Sequence, residues 1–162
     1  MASQVPTVRQ TALISIIPQF SVLGGLILMF YFLKTPDYFV YGAISYLFLS
    51  FSLRNILTRH HKAGIRLIRK KDYKTAIYAF QRSYDFFTRN NWIDKFRYLT
   101  VLSSSAMCYR EMALCNIAFS YSQIGDGKKA KEYYEKTLRD YPNNGLAIAA
   151  MNMIKSAENR IN

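Results

Sequence analysis

The sequence has little negative charge and few cysteines. Only 10 Asp and Glu residues stand against 22 Lys and Arg residues, which gives a net charge of +12. The two cysteines, Cys108 and Cys115, would lie about 10 Å apart on one helix, too far for a disulfide. This spacing excludes a disulfide-stabilised scaffold, and we expect two free thiols in a reducing compartment.

The motifs of catalysis and metal binding are also missing. Gly125-Asp126-Gly127-Lys128-Lys129 lacks the upstream glycine and the strand of a phosphate-binding loop, so we interpret it as a turn between helices. His60 and His61 are adjacent and would point about 100° apart on a helix, so they cannot chelate a metal as an i,i+4 pair does. We therefore expect no enzyme activity, no cofactor and no metal.

Charge is nearly absent from the first third of the chain. Before Arg54 the only charged residues are Arg9, Lys34 and Asp37, and the remaining 20 basic and 9 acidic residues follow. This step in composition is the clearest domain boundary in the sequence. It predicts a membrane segment over residues 1–57 and a cytoplasmic domain over residues 58–162.

Two uncharged runs fill the first segment. Residues 10–33 would form a helix of about 36 Å, and residues 38–53 a helix of about 24 Å, which Arg54 can extend to residue 57 by snorkelling. Both lengths suit a membrane span. We predict spans over about residues 11–33 and 38–57, joined by a tight turn into an antiparallel hairpin.

A few polar and small residues interrupt the apolar runs. Pro18-Gln19 is either a polar point on a substrate path or a kink whose freed groups find partners in the neighbouring helix. We favour the kink, because neither span contains the Asp, Glu, Lys or His that a transporter normally needs. The small residues predicted to let the spans approach closely are Ser21, Gly24, Gly25, Gly42 and Ala43.

A dense basic cluster follows the second span. The positive-inside rule then places both termini in the cytoplasm, and we favour a bacterial inner membrane. No nucleic-acid-binding module accompanies the charge, so we expect no nucleic-acid partner. Basic side chains beside a membrane contact lipid headgroups. The residues predicted to do so are Arg54, Arg59, Lys62, Arg66, Arg69, Lys70 and Lys71.

The tail has helical periodicity and an internal repeat. The clearer copy is carried by Leu114, Ile117, Ala118, Tyr121, Gly125, Ala130, Tyr134 and Pro142. A weaker copy is carried by Gly64, Leu67, Asp72, Tyr73, Ala76, Ile77 and Phe80. This pattern resembles the tetratricopeptide repeat. The copies are 54 residues apart, whereas that family repeats about every 34 residues, so about 20 residues are inserted.

The resemblance implies an all-α fold in which a two-helix transmembrane hairpin precedes a short array of antiparallel helix pairs. We expect repeats at about residues 57–90 and 111–144, an inserted helix over 92–110 and a capping helix over 145–159. Asp126 is placed to cap the second helix of the clearer copy, and Pro142 to end it.

Arrays similar to this one bind peptides or helices in a groove formed by the first helix of each pair. The residues predicted to line that groove are His61, Ile65, Arg69, Asn116, Phe119 and Gln123. We therefore expect a membrane-anchored adaptor that holds a protein partner. Half of these residues could instead pack against the inserted helix. The alternative function is a structural or assembly subunit that binds other transmembrane subunits, or copies of itself, through its spans.

Overall fold

The computed structural model describes residues 12–161, and the side chains up to residue 159. Within this range the regular secondary structure is helical, with no β-strand. After a 3-10 turn at Leu13–Ser15 the helices follow in chain order. They are α1 (Ile16–Phe32), α2 (Tyr38–Leu57), α3 (Arg59–Arg69), α4 (Tyr73–Arg89), α5 (Asn91–Lys95), α6 (Arg97–Thr100), α7 (Tyr109–Gln123), α8 (Gly127–Asp140) and α9 (Gly145–Ile161).

Two segments are long and apolar enough to cross a membrane. They are Leu13–Phe32 and Tyr38–Leu57. Most of their large apolar side chains are exposed, and the rest are half-buried. The start of the first predicted span, at residue 11, lies outside the described residues. The expected tight turn is present, with Lys34 and Asp37 both at positive φ, and it folds α2 back along α1.

One of the predicted small residues lets the two hairpin helices approach closely. Gly42 is buried against Ile27, and a Cβ atom at Gly42 would lie 2.9 Å from the Cα of Ile27. The prediction for Gly24 and Gly25 is wrong, because a Cβ atom at either position would meet nothing within 4 Å.

The chain divides into two compact units. The hairpin unit contains Met1–Leu57 and also Lys95–Cys108. The helix-pair unit contains Thr58–Asp94 and Tyr109–Asn162. The insertion between the two sequence repeats is therefore shared between the units.

The helix-pair unit contains two helix–turn–helix elements of the same local construction. In each, an aspartate caps the second helix: the Asp72 carboxylate accepts from the Thr75 backbone N–H at 3.2 Å, and that of Asp126 accepts from Lys129 at 3.0 Å. The predicted cap at Asp126 is confirmed. Three-residue turns make the helices of each element antiparallel neighbours.

Small residues let the helices of the first pair pack closely. A Cβ atom at Gly64 of α3 would lie 2.7 Å from the ring of Phe80 on α4. The first pair joins the second where α4 packs against α7, and α9 then packs against α8. Ala118, Tyr134, Ala147 and Met151 form a buried cluster under α9, which closes the apolar end of the unit.

The prediction of a single inserted helix over residues 92–110 is wrong. The chain forms the short helices α5 and α6 and then runs without regular helix until Tyr109. Leu102 adopts a positive φ of 51°, which ends α6, and three consecutive serines follow it. Serine hydroxyls compete for backbone hydrogen bonds and favour non-helical structure.

Candidate functional site

The first helices of the two pairs, α3 and α7, are neighbours in the helix-pair unit. Ile65 on α3 and Phe119 on α7 are both half-buried. The ring of Tyr73, the first residue of α4, meets the ring of Phe119 edge-on with centroids 6.2 Å apart. This aromatic pair fixes the orientation of Phe119. Tyr73 was not among the residues that the sequence predicted to line the groove.

Polar groups accompany this apolar patch. Arg69 and Gln123 are exposed near the C-terminal ends of α3 and α7, and Asn116 is half-buried one turn before Phe119. A ring edge, an amide and a guanidinium suit a partner segment that combines apolar and acidic side chains. We call Ile65, Arg69, Tyr73, Asn116, Phe119 and Gln123 the groove residues.

The prediction that His61 lines the groove is wrong. Its side chain is buried, with the ring edge-on to Phe80 at 5.3 Å and to Tyr109 at 5.4 Å. Burial lowers the pKa of His61 to about 4. A neutral imidazole within an aromatic cluster supports the packing of α3 on α4 and is not accessible to a partner.

A buried aspartate positions the start of α7. Asp94 is fully buried, and its carboxylate accepts from the backbone N–H groups of Tyr109, at 2.7 Å, and Arg110, at 3.1 Å. It also forms a salt bridge of 3.2 Å with the Arg110 side chain. Asp94 thus does for α7 what the local caps do for α4 and α8, from 15 residues away in the chain. No local sequence pattern predicts this role.

A second long-range contact joins the N-terminal half of α7 to the start of α9. The amide oxygen of Asn144 accepts from the Ala147 backbone N–H at 2.7 Å and so caps α9. Its amide nitrogen donates to the Glu111 carboxylate at 2.8 Å. The thiol of Cys115 lies 3.6 Å from the same amide oxygen. The N-terminal half of α7 is therefore held at several points, from Tyr109 to Cys115.

The basic residues of α3 share one face of the helix. Arg59, Lys62, Arg66 and Arg69 recur every three or four residues and are exposed, while Gly64 and Ile68 are buried on the other side. Lys70 and Lys71 follow in the turn and are exposed too. The contact of these residues with lipid headgroups remains a prediction. Arg54, in the hairpin unit, donates to the Leu102 carbonyl, a contact that the sequence did not indicate.

Two tyrosines, on α7 and α8, form a second surface feature together with a glutamine of α4. The rings of Tyr121 and Tyr133 stack with centroids 5.5 Å apart, and the Lys129 ammonium lies 5.2 Å from the Tyr121 centroid. The amide of Gln81 donates to the Tyr133 hydroxyl at 3.4 Å. Partial burial raises the pKa of Tyr121, so this phenol remains neutral near pH 7. The cluster is suited to packing and hydrogen bonding.

The described residues contain no group of three or more His, Cys, Asp or Glu side chains placed to hold a metal ion. The comparisons with known proteins add no further assignment: no family model, no curated protein and no solved structure matches the chain.

Proposed function

We propose that the chain is a membrane-anchored adaptor that holds a protein partner at the cytoplasmic face of a membrane through a groove between α3 and α7. The observation that carries this proposal is the agreement between the repeated sequence pattern and the repeated packing. Gly64, Ala76 and Phe80 in the first pair and Ala118, Ala130 and Tyr134 in the second are all buried. Each residue lies 54 positions before its counterpart.

This agreement supports the interpretation of the unit as two tetratricopeptide-like repeats closed by α9. Such pairs present their first helices on one face, where a peptide or a partner helix binds. The half-buried Phe119, fixed by Tyr73, supplies an aromatic contact of the kind that carries binding energy at protein interfaces. Arg69 supplies a charge that favours an acidic segment.

The two apolar helices support the anchoring. Their exposed Phe, Leu, Ile and Tyr side chains would be poorly accommodated in water but suit lipid. Only Lys34 and Asp37 carry charge at the hairpin turn, whereas the basic face of α3 begins two residues after α2 ends. This asymmetry favours a cytoplasmic location for the helix-pair unit and for both termini.

The adaptor hypothesis is tested by isolating the tagged full-length protein from native membranes with its bound proteins. We expect Phe119→Ala combined with Arg69→Glu to remove a partner that the unaltered chain retains. The matched control is Arg82→Glu combined with Tyr78→Ala, two exposed positions on α4 that lie outside the groove residues, and it should retain the partner.

The subunit alternative predicts a different outcome. If partners are held through the spans, the groove variant will retain them, and Gly42→Leu, which places a larger side chain against Ile27, will release them. That result would contradict the adaptor hypothesis. It would favour assembly of the hairpin with other transmembrane subunits or with further copies of the chain.

A further inference from the structure

The short segment that follows α5 is attached to the open end of the hairpin. Within the hairpin unit, the carbonyl of Leu102 accepts from the Gln19 side-chain amide at 3.3 Å and from the Arg54 guanidinium. The backbone N–H of Ala12 donates to the carbonyl of Ser104 at 2.9 Å. Side chains of α1 and α2, and the backbone of Ala12, therefore all bind the stretch of backbone from Leu102 to Ser104.

These contacts set the height of the segment along the hairpin. Gln19 lies three residues after the start of α1, and Arg54 lies three residues before the end of α2. Because the two helices are antiparallel, both side chains lie at the same end, opposite the Lys34–Asp37 turn. Three residues of helix span about 4.5 Å, so the Leu102 carbonyl lies near the first helical turn inside the apolar stretch.

The buried side of the segment is apolar, and so is part of its exposed side. Val101 and Leu102 are fully buried, and α6 packs against α1. Phe96, just before α6, is 54% exposed, and Leu99 within α6 is 52% exposed. Fixing two large apolar side chains in water beside an apolar hairpin would be unfavourable.

Basic groups flank these apolar side chains. The Lys95 ammonium lies 5.8 Å from the Phe96 ring centroid, and the Arg97 guanidinium lies 4.5 Å from that of Tyr98. Arg97 also donates to the carbonyls of Ser105 and Ala106, which closes the loop after α6. Aromatic, aliphatic and basic side chains in close sequence are typical of segments that lie in the headgroup region of a membrane.

We propose that residues 96–99 form a membrane-interface wedge: Phe96 and Leu99 enter the boundary between headgroups and acyl chains at the open end of the hairpin, and Lys95 meets anionic headgroups. The occupant of this apolar surface is lipid, because the segment is hydrogen-bonded to two helices whose apolar surfaces suit the interior of a bilayer. The segment also carries positive charge, which complements anionic lipid headgroups. This inference rests on the membrane anchoring proposed above.

Tryptophan reporters in lipid nanodiscs test the proposal. Trp92 is the one tryptophan of the chain, so Trp92→Phe gives a background in which Phe96→Trp, or separately Leu99→Trp, is the sole reporter. We expect lipids brominated close to the headgroup to quench both reporters strongly. Lipids brominated near the chain end and aqueous iodide should quench them several-fold less.

Two control reporters separate failure of the wedge from failure of the anchor. Phe48→Trp, in the middle of α2, should be quenched by the deep bromines, and Tyr78→Trp, exposed on α4, by iodide alone. If the Phe48 reporter responds to bromine while those at 96 and 99 respond to iodide, or to neither quencher, the wedge is overturned and the anchor stands. If the Phe48 reporter does not respond to bromine, both are overturned.

Discussion

At the residue scale, two buried polar side chains organise the helix-pair unit. His61 packs its neutral ring between Phe80 and Tyr109, and Asp94 caps α7. Neither side chain is accessible, so both act on the groove only through the helices they hold. Substituting such a buried polar side chain destabilises the fold, because its buried hydrogen-bond partner is left unsatisfied.

Acid should destabilise the helix-pair unit through His61. Its pKa is about 4 in the fold, against 6.5 in an exposed chain. Between these values the unfolded chain binds a proton that the fold excludes, so stability falls as the pH drops below 6.5 and the loss is complete near pH 4. We expect about 2 kcal/mol of loss between pH 7.5 and pH 5. Denaturant unfolding followed by Trp92 fluorescence measures it.

The His61→Leu variant should show little of that pH dependence. The control, His60→Gln, should retain most of it, because the His60 side chain is more exposed than that of His61. Partial burial and the neighbouring Arg59 and Arg82 also lower the pKa of His60, so this variant should lose a smaller part of the acid response. An equal acid response in the unaltered chain and in His61→Leu would show that His61 is not the titrating group.

Loss of the Asp94 carboxylate should destabilise the unit by about 3 kcal/mol, because two backbone N–H groups and the Arg110 side chain lose their acceptor. Asp94→Asn keeps one acceptor oxygen and should lose less than Asp94→Ala. Asp85→Ala removes an exposed carboxylate from α4 and should change the free energy of unfolding by less than about 0.5 kcal/mol. Equal effects of Asp85→Ala and Asp94→Ala would contradict the capping role.

At the element scale, the two inter-helix turns are the same structure built from different residues. Lys71 donates its backbone N–H to Ile68 and Asp72 donates to Leu67; Gly125 and Asp126 repeat both bonds with Ser122 and Tyr121. Both turns are Schellman motifs, which require a residue at positive φ. Gly125 has a φ of 81°, and Lys71 has a φ of 61°.

The turns should therefore respond oppositely to substitution. Lys71→Gly should stabilise the unit by about 1 kcal/mol, because glycine adopts positive φ without the steric cost that lysine carries. Gly125→Ala should destabilise it by about 1 kcal/mol. Neither change removes a hydrogen bond, so both are read from the unfolding midpoint at constant m-value. Changes of the same sign would contradict this account of the turns.

Elements whose signals are local were predictable from the sequence. The apolar runs indicated α1 and α2, and Asp126 with its turn indicated the start of α8. The structure of residues 92–110 was not predictable, because α7 begins where a carboxylate distant in the chain, that of Asp94, accepts hydrogen bonds from its first backbone N–H groups. The prediction that His61 lines the groove was wrong for a similar reason. Helical spacing gives the face of α3 on which His61 lies, but its burial depends on contacts with Phe80 and Tyr109.

At the scale of the whole molecule, the chain pairs an apolar hairpin with a basic helical unit. The net charge of +12 is concentrated after the spans, and this asymmetry is the basis for the proposed orientation. The proposed adaptor function joins a membrane to a protein partner, so orientation and groove occupancy are the two properties to measure.

Orientation is measured by labelling introduced cysteines in intact cells with a membrane-impermeant maleimide. We expect Thr35→Cys, in the hairpin turn, to be labelled from outside, and Asn143→Cys, exposed before α9, to be labelled only after permeabilisation. The unaltered chain, with Cys108 half-buried and Cys115 buried, gives the background. Labelling of Asn143→Cys in sealed cells would contradict the proposed topology.

Groove occupancy is measured by photo-cross-linking in native membranes. A photo-cross-linking amino acid is placed at Phe119 in the full-length protein, with Tyr78 on α4 as the matched exposed position outside the groove residues. In native membranes we expect a discrete protein adduct from position 119 that is absent from position 78 and is lost when Arg69→Glu is added. No adduct at 119, together with discrete adducts from reporters on α1 or α2, would contradict it.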